Sequence, residues 1–358
     1  MDNLTILKDL LRFESYTSEG VNELAEYIIK EYLESEQLVY RKILSCDRVN
    51  LLVAVNGNFS SDFSNGLVFS GHLDTVKGYI PVVEQNGKLY GRGSVDMKFF
   101  IATVLSLIPY FKKLPYPVLF SFTSDEETSF LGIASVLDFC KKNNIKPKYC
   151  IVGEPTSFNL ALNNNGGIVF NTVFHGKAGH SSVPQLGSNA IETAVFFMNL
   201  LKKNPVVNNN ANNSITYNIA KIEAGIADNI IPDCCSLTYS FRFSNPVEEE
   251  IIKKVLFKIE KSVCEESKFP VNTVTTPYIK SFANINSSFS KRIVSILPEL
   301  EIKSFSGATE AGYWHGYGVD SIIFGIDDKM YAHAENEHVS ISSLKKYTNM
   351  IQKICDNL

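Results

Sequence analysis

Leu67-Val68-Phe69-Ser70-Gly71-His72-Leu73-Asp74 is a run of apolar and small residues that ends in an imidazole and a carboxylate. Such a run reads as a strand covered on both faces, as in a parallel sheet flanked by helices. Its polar end then lies at the carboxyl edge of the sheet, where open α/β sheets bind ligands. The pattern recurs twice. Pro117-Val118-Leu119-Phe120-Ser121-Phe122 leads into Ser124-Asp125-Glu126-Glu127, and Tyr149-Cys150-Ile151-Val152 leads into Gly153-Glu154-Pro155. Helical spacing over 97–110 and 130–142 separates the three runs. Helices between strands imply parallel neighbours, so all three polar endings are expected on one edge.

Outward from this centre, residues 4–11 and 21–33 predict two opening helices, the second started by Thr17-Ser18-Glu19-Gly20, and 50–55 a strand. The character changes at Gly166-Gly167. Strand 168–174, helix 189–201, strands 214–222 and 237–243, helix 246–263 and strand 271–275 follow the β-α-β-β-α-β order of a ferredoxin-like module. The chain then returns to the first pattern with helix 287–296, strand 321–325 and helix 341–355. This places an inserted domain at 166–277 within a domain formed by 1–165 and 278–358.

A formal net charge of -4 over 358 residues gives no basic footprint for nucleic acid. No run approaches the roughly 18 apolar residues of a membrane span, and the start has no leader pattern. Seven cysteines without regular spacing argue for a reducing compartment and a cytoplasmic protein.

Beyond strand 321–325 stands Tyr331-Ala332-His333-Ala334-Glu335-Asn336-Glu337, so His72, Asp96, Glu127, Glu154 and His333 can meet. Two imidazoles with three carboxylates suit a pair of zinc or similar divalent ions, and the pattern does not choose the metal. Taken singly, each has a plainer reading. His72 could be a hydrogen-bonded strand end, and Glu126-Glu127 a solvated pair. If Glu127 binds metal, Glu126 is free to act as general base toward the attacking water, its pKa raised by burial or lowered by the ions.

Five segments in series carry a family likeness: Ser70-Gly71-His72-Leu73-Asp74-Thr75, Gly91-Arg92-Gly93-Ser94-Val95-Asp96-Met97-Lys98, Ser124-Asp125-Glu126-Glu127-Thr128-Ser129, Val152-Gly153-Glu154-Pro155-Thr156 and Ala332-His333. Together they resemble the acetylornithine deacetylase, succinyl-diaminopimelate desuccinylase, aminoacylase and carboxypeptidase G2 family of dinuclear metallohydrolases. The resemblance implies a phosphorylase/hydrolase-like three-layer α/β catalytic domain and an inserted ferredoxin-like dimerisation domain. It implies that His72 and Glu154 bind one zinc, that Glu127 and His333 bind the other, and that Asp96 bridges them, with cobalt as an alternative metal. Asp74 would orient His72, and Glu126 would be the base and later the proton donor to the leaving amine. The Asp96-Met97 peptide would be cis.

In the inserted module, Gly176-Lys177-Ala178-Gly179-His180-Ser181-Ser182 resembles the family's dimerisation segment. His180 would reach the other subunit's active site in a homodimer and polarise the scissile carbonyl. Asn229 and Arg242 match positions that grip the substrate, although a salt-bridged strand arginine is an equal reading of Arg242. Ala308-Thr309-Glu310-Ala311 resembles the acetylornithine deacetylases and makes Glu310 a substrate contact. The expected substrate is a small N-acyl amino acid, N-acetyl-L-ornithine in arginine biosynthesis. N-acetylcitrulline, N-acetyllysine, N-succinyl-diaminopimelate and dipeptides remain alternatives, as does a non-catalytic binding protein on the same fold. Phe99 departs from the family's usual glycine and puts local helix packing in question.

Overall fold

The computed structural model describes residues 2–208, 215–284, 287–326 and 329–358. It divides into two compact units, Met1–Asn164 with Phe282–Leu358, and Asn165–Ser281. The second boundary falls at Ser281, beyond the expected 277, because the last strand of the inserted unit runs on to Ile279.

Among the described residues, the first unit is built on a nine-stranded sheet. Its strands are β1 (Val39–Ser45), β2 (Arg48–Ala54), β3 (Leu67–His72), β6 (Val118–Thr123), β7 (Tyr149–Val152), β8 (Leu160–Asn164), β13 (Phe282–Ala283), β14 (Ile302–Phe305) and β15 (Asp320–Phe324). They run in the order β1-β2-β6-β3-β7-β15-β8-β13, with β14 also on β8. The neighbours β6, β3, β7 and β15 are all parallel. Their last residues therefore share one edge. A small antiparallel sheet of β4 (Val83–Gln85), β5 (Lys88–Tyr90) and β16 (His338–Ser340) completes the unit.

Every residue of β3, β6 and β7 is buried, so both faces must be covered. Alternate residues Val53, Phe69, Phe120 and Ile151 share one core with helices Asn3–Leu10, Ser18–Ile28, Lys98–Ser106 and Ile341–Asp356. The intervening Leu52, Val68, Leu119 and Cys150 are equally buried. Helices Leu131–Lys142 and Ala311–Gly316 pack on these strands, and Trp314 Nε1 donates to Ser70 Oγ at 2.8 Å. Helices thus cover both faces, the period-two consequence of a strand apolar at every position.

The second unit has four antiparallel strands, β9 (Gly166–His175), β10 (Thr216–Ala224), β11 (Cys234–Phe243) and β12 (Val271–Ile279), in the order β10-β11-β9-β12. With helices Ala190–Lys203 and Pro246–Ser267 this is the ferredoxin-like arrangement. Asn189 and Asn245 cap the two helices by accepting from the amides of Ile191 and Glu248. The expected strand start at Ser214 lies outside the described residues.

Some elements differ from expectation. The helix expected over 97–110 runs Lys98–Ser106 and restarts at Ile108–Phe111, because Pro109 brings no N–H to continue the ladder. The helix expected over 21–33 is α-helical at Ser18–Ile28 and π-helical at Ile29–Glu34. Phe99 is fully buried and sets its ring edge-on to Tyr347, 5.6 Å between centroids, so the aromatic side chain is accommodated in the core.

Candidate active site

Except for Asp96, each group of the site ends or follows a strand of the parallel edge. His72 is the last residue of β3. Glu126 and Glu127 follow β6 in a turn whose Asp125 has φ 64° and whose Asp125 carbonyl accepts from the Ser129 and Phe130 amides. Arg48 holds the Asp125 carboxylate at 3.0 Å. Glu154 follows Gly153, where a Cβ would lie 2.0 Å from the Phe100 ring, so only glycine lets the backbone pass this helix. Asp96 closes the turn after β5, with a cis peptide to Met97, and His333 follows β15.

The side chains converge. His72 Nε2 lies 3.0 Å from Asp96 Oδ1, 3.8 Å from Glu154 Oε1 and 4.0 Å from Glu126 Oε2. His333 Nε2 lies 2.9 Å from Glu127 Oε1 and 3.4 Å from Asp96 Oδ2. The two oxygens of Asp96 thus face different imidazoles. Asp74 lies behind: its carbonyl is 2.9 Å from His72 Nδ1, and its carboxylate accepts from the Glu126 and Glu127 amides at 3.3 and 3.2 Å. One aspartate so orients the imidazole and both glutamate backbones.

Crowded acids raise one another's affinity for protons. Burial pushes the Glu126 and Glu154 carboxyls well up, with the neighbouring acids adding to it. Burial likewise carries Asp74 up to about 6. Asp96 goes the other way, because hydrogen bonds from His333 and His72 outweigh its burial. His333 rises to about 10 through its bonds to Asp96 and Glu127. His72 is also raised, since Asp96 and its acidic neighbours overcome the burial that opposes its charge. Glu154 Oε1 is buried without a hydrogen-bond partner. His72, Glu126 and Glu154, and His72, Asp96 and Glu127, each bring one ligand atom within 4.8 Å of the others. An orphaned buried carboxylate oxygen among protons held by mutual repulsion is what divalent cations would relieve, so the donor set fits them.

Glu310 is 1% exposed, and its carboxylate accepts from the hydroxyls of Ser70 and Thr123 beneath the strand ends. The motif placed it in the chain but said nothing of which way it points. His180, Asn229 and Arg242 are exposed residues of the second unit. There His180 bridges to Ile230, and Asn229 accepts from the Ser181 amide at 3.0 Å. His338 is buried, with Nδ1 2.7 Å from Asn336 O. Nothing in the sequence singles out Arg48, since a single arginine at a strand start carries no signal.

Acids and imidazoles gathered on this edge serve hydrolysis by cation-activated water, and fold and site together place the chain among the metal-dependent hydrolases. It belongs to peptidase family M20/M25/M40, whose family model matches residues 68–357. It is similar to an acetylornithine deacetylase of Aliivibrio salmonicida, 30% identical over 328 residues that span 86% of this chain and 84% of the relative. It is also similar to a succinyl-diaminopimelate desuccinylase of Wolbachia pipientis, 26% identical over all of this chain and 93% of the relative. Its fold matches that of aminopeptidase PepT from Bacillus cereus with a TM-score of 0.81 at 17% identity, over 99% of this chain and 97% of the other.

Proposed function

We propose that the chain hydrolyses the amide bond of an N-acyl amino acid, N-acetyl-L-ornithine giving L-ornithine and acetate, in cytoplasmic arginine biosynthesis. Asp96 carries the reading, since its oxygens at 3.0 and 3.4 Å from two different imidazoles suit a carboxylate shared between two cations. His72 and Glu154 would hold one ion, Glu127 and His333 the other, with zinc, or cobalt, as the metal. Bound there, two such ions supply a nucleophilic water at neutral pH and polarise the scissile carbonyl.

The chain's own residues manage the protons. Glu126 takes a proton from the water as its oxygen attacks the acyl carbon. The C–N bond then breaks, Glu126 returns that proton to the amine nitrogen, and the products are a carboxylate and a free amine. Asp74 keeps Glu126 in place through its amide and His72 through its ring.

A homodimer fits this reading. β10 is an edge strand of its sheet and exposes Ile219 and Ile222, an edge suited to a second copy. His180 Nδ1 accepts from the Ser182 amide at 3.2 Å, which puts the ring hydrogen on Nε2 as a donor for the partner's substrate carbonyl. Asn229 and Arg242 would grip the substrate's carboxylate or acyl oxygen.

A desuccinylase is the second reading, favoured by the Wolbachia relative and by His333-Ala334-Glu335-Asn336-Glu337. Zinc-reloaded protein assayed for free amine against N-acetylornithine, N-acetylcitrulline, N-acetyllysine, N-succinyl-diaminopimelate and dipeptides separates them. The highest kcat/KM is expected on N-acetylornithine. A preference for N-succinyl-diaminopimelate would replace the first reading with the second.

A further inference from the structure

We infer that Glu337 is a positioning residue for the shared carboxylate of Asp96, an inference that rests on the metal-site reading above. Glu337 is 1% exposed and lies 241 residues from Asp96 in sequence, yet Gly91, Arg92, Val95 and Asp96 all donate hydrogen bonds to it. Its Oε1 accepts from the amides of Val95 and Asp96 at 3.0 and 3.2 Å. Its Oε2 accepts from Arg92 Nη1 at 2.8 Å, and its main-chain carbonyl accepts from the Gly91 amide at 3.2 Å. Arg92 in turn donates from Nε to Gly78 O at 3.0 Å.

The fold supplies this contact. β16 pairs with β5 with His338 opposite Tyr90, so the residue before β16 is set against the turn after β5. Arg92 alone could neutralise a buried acid. Glu337 instead spends one oxygen on two consecutive amides, the second belonging to the residue whose side chain faces both His72 and His333. Fixing that amide fixes the Cα from which the carboxylate projects. His333 stands four residues before Glu337, so one short segment carries an imidazole of the site and the clamp on the carboxylate beside it.

Glutamine in place of Glu337 keeps only one acceptor oxygen, and its NH2 must face either Arg92 or the two amides, all of which are donors. Partners behind metal ligands typically change metal affinity about 10- to 100-fold when altered. Zinc affinity of the full chain is measured by chelator competition for wild type and Glu337→Gln, together with the absorption spectrum of the cobalt-loaded proteins and thermal melting of the metal-free ones. At least tenfold weaker binding of one ion and a changed cobalt spectrum are expected. Should Glu337→Gln not fold, Arg92→Met leaves the amide contacts in place and should weaken binding in the same direction but less. A folded variant with wild-type affinity and an unchanged spectrum overturns the inference while wild type still binds two ions. Wild type that binds none overturns this inference and the metal-site reading together.

Discussion

Among single side chains, Glu126 has the most exacting part in the proposed reaction. The side chain is 4.0 Å from His72 yet is given no ion to hold, and burial among acids makes it a ready proton acceptor. Glu126→Gln should lower kcat by about 10²- to 10⁴-fold, the range of general acid–base catalysis, while metal analysis shows unchanged ion content. Turnover near that of wild type would remove Glu126 from the role. Glu310 has a different signature. Burial pushes it up to about 7 from an ordinary 4.5, against the pull of the Ser70 and Thr123 hydroxyls. Between those values the folded chain keeps a proton that the unfolded chain has released, so this group's contribution to stability falls as pH rises from 4.5 to 7. Glu310→Gln stays neutral throughout. In metal-free protein it should remove that decline, worth up to about 3 kcal/mol by pH 8, as read by denaturant unfolding across the range. Identical pH slopes for wild type and variant would contradict the assignment.

Among the elements, β7 and the residue after it show how closely the site is built on the fold. A methyl group at Gly153 would meet the Phe100 ring and move the backbone that carries Glu154. Gly153→Ala should therefore destabilise the chain by about 1–3 kcal/mol in chemical denaturation and weaken zinc binding with it. A variant as stable as wild type would show that the helix yields freely. The same elements explain what was legible beforehand. β3, β6 and β7 are covered on both faces, so their sequences are unbroken apolar runs, and parallel pairing brings His72, Glu126, Glu127 and Glu154 to one edge. β1 was not legible. It is an outer strand, Val39-Tyr40-Arg41-Lys42-Ile43-Leu44-Ser45, whose exposure permits charges and erases the apolar signal. The two- to four-residue strands β4, β5, β13, β14 and β16 are too short to show a period. Glu310 and Glu337 illustrate a further limit, since whether an acid points to substrate or to a neighbouring backbone depends on long-range packing.

For the molecule as a whole, the proposed reaction needs a second copy. Ile222→Lys on the outer strand β10, where the side chain is 48% exposed, should leave the monomer folded, shift sedimentation from dimer to monomer and lower kcat through loss of the partner's His180. A monomer of full activity would contradict the role given to His180. Beneath all of this lies the binding of two cations by five side chains drawn from across the chain. It is tested most directly by zinc retained per folded chain after exhaustive dialysis, compared between wild type and Asp96→Ala. Two ions are expected in wild type and fewer than two in the variant, because both imidazoles lose the carboxylate between them. No zinc in wild type, or two ions in both proteins, would contradict it.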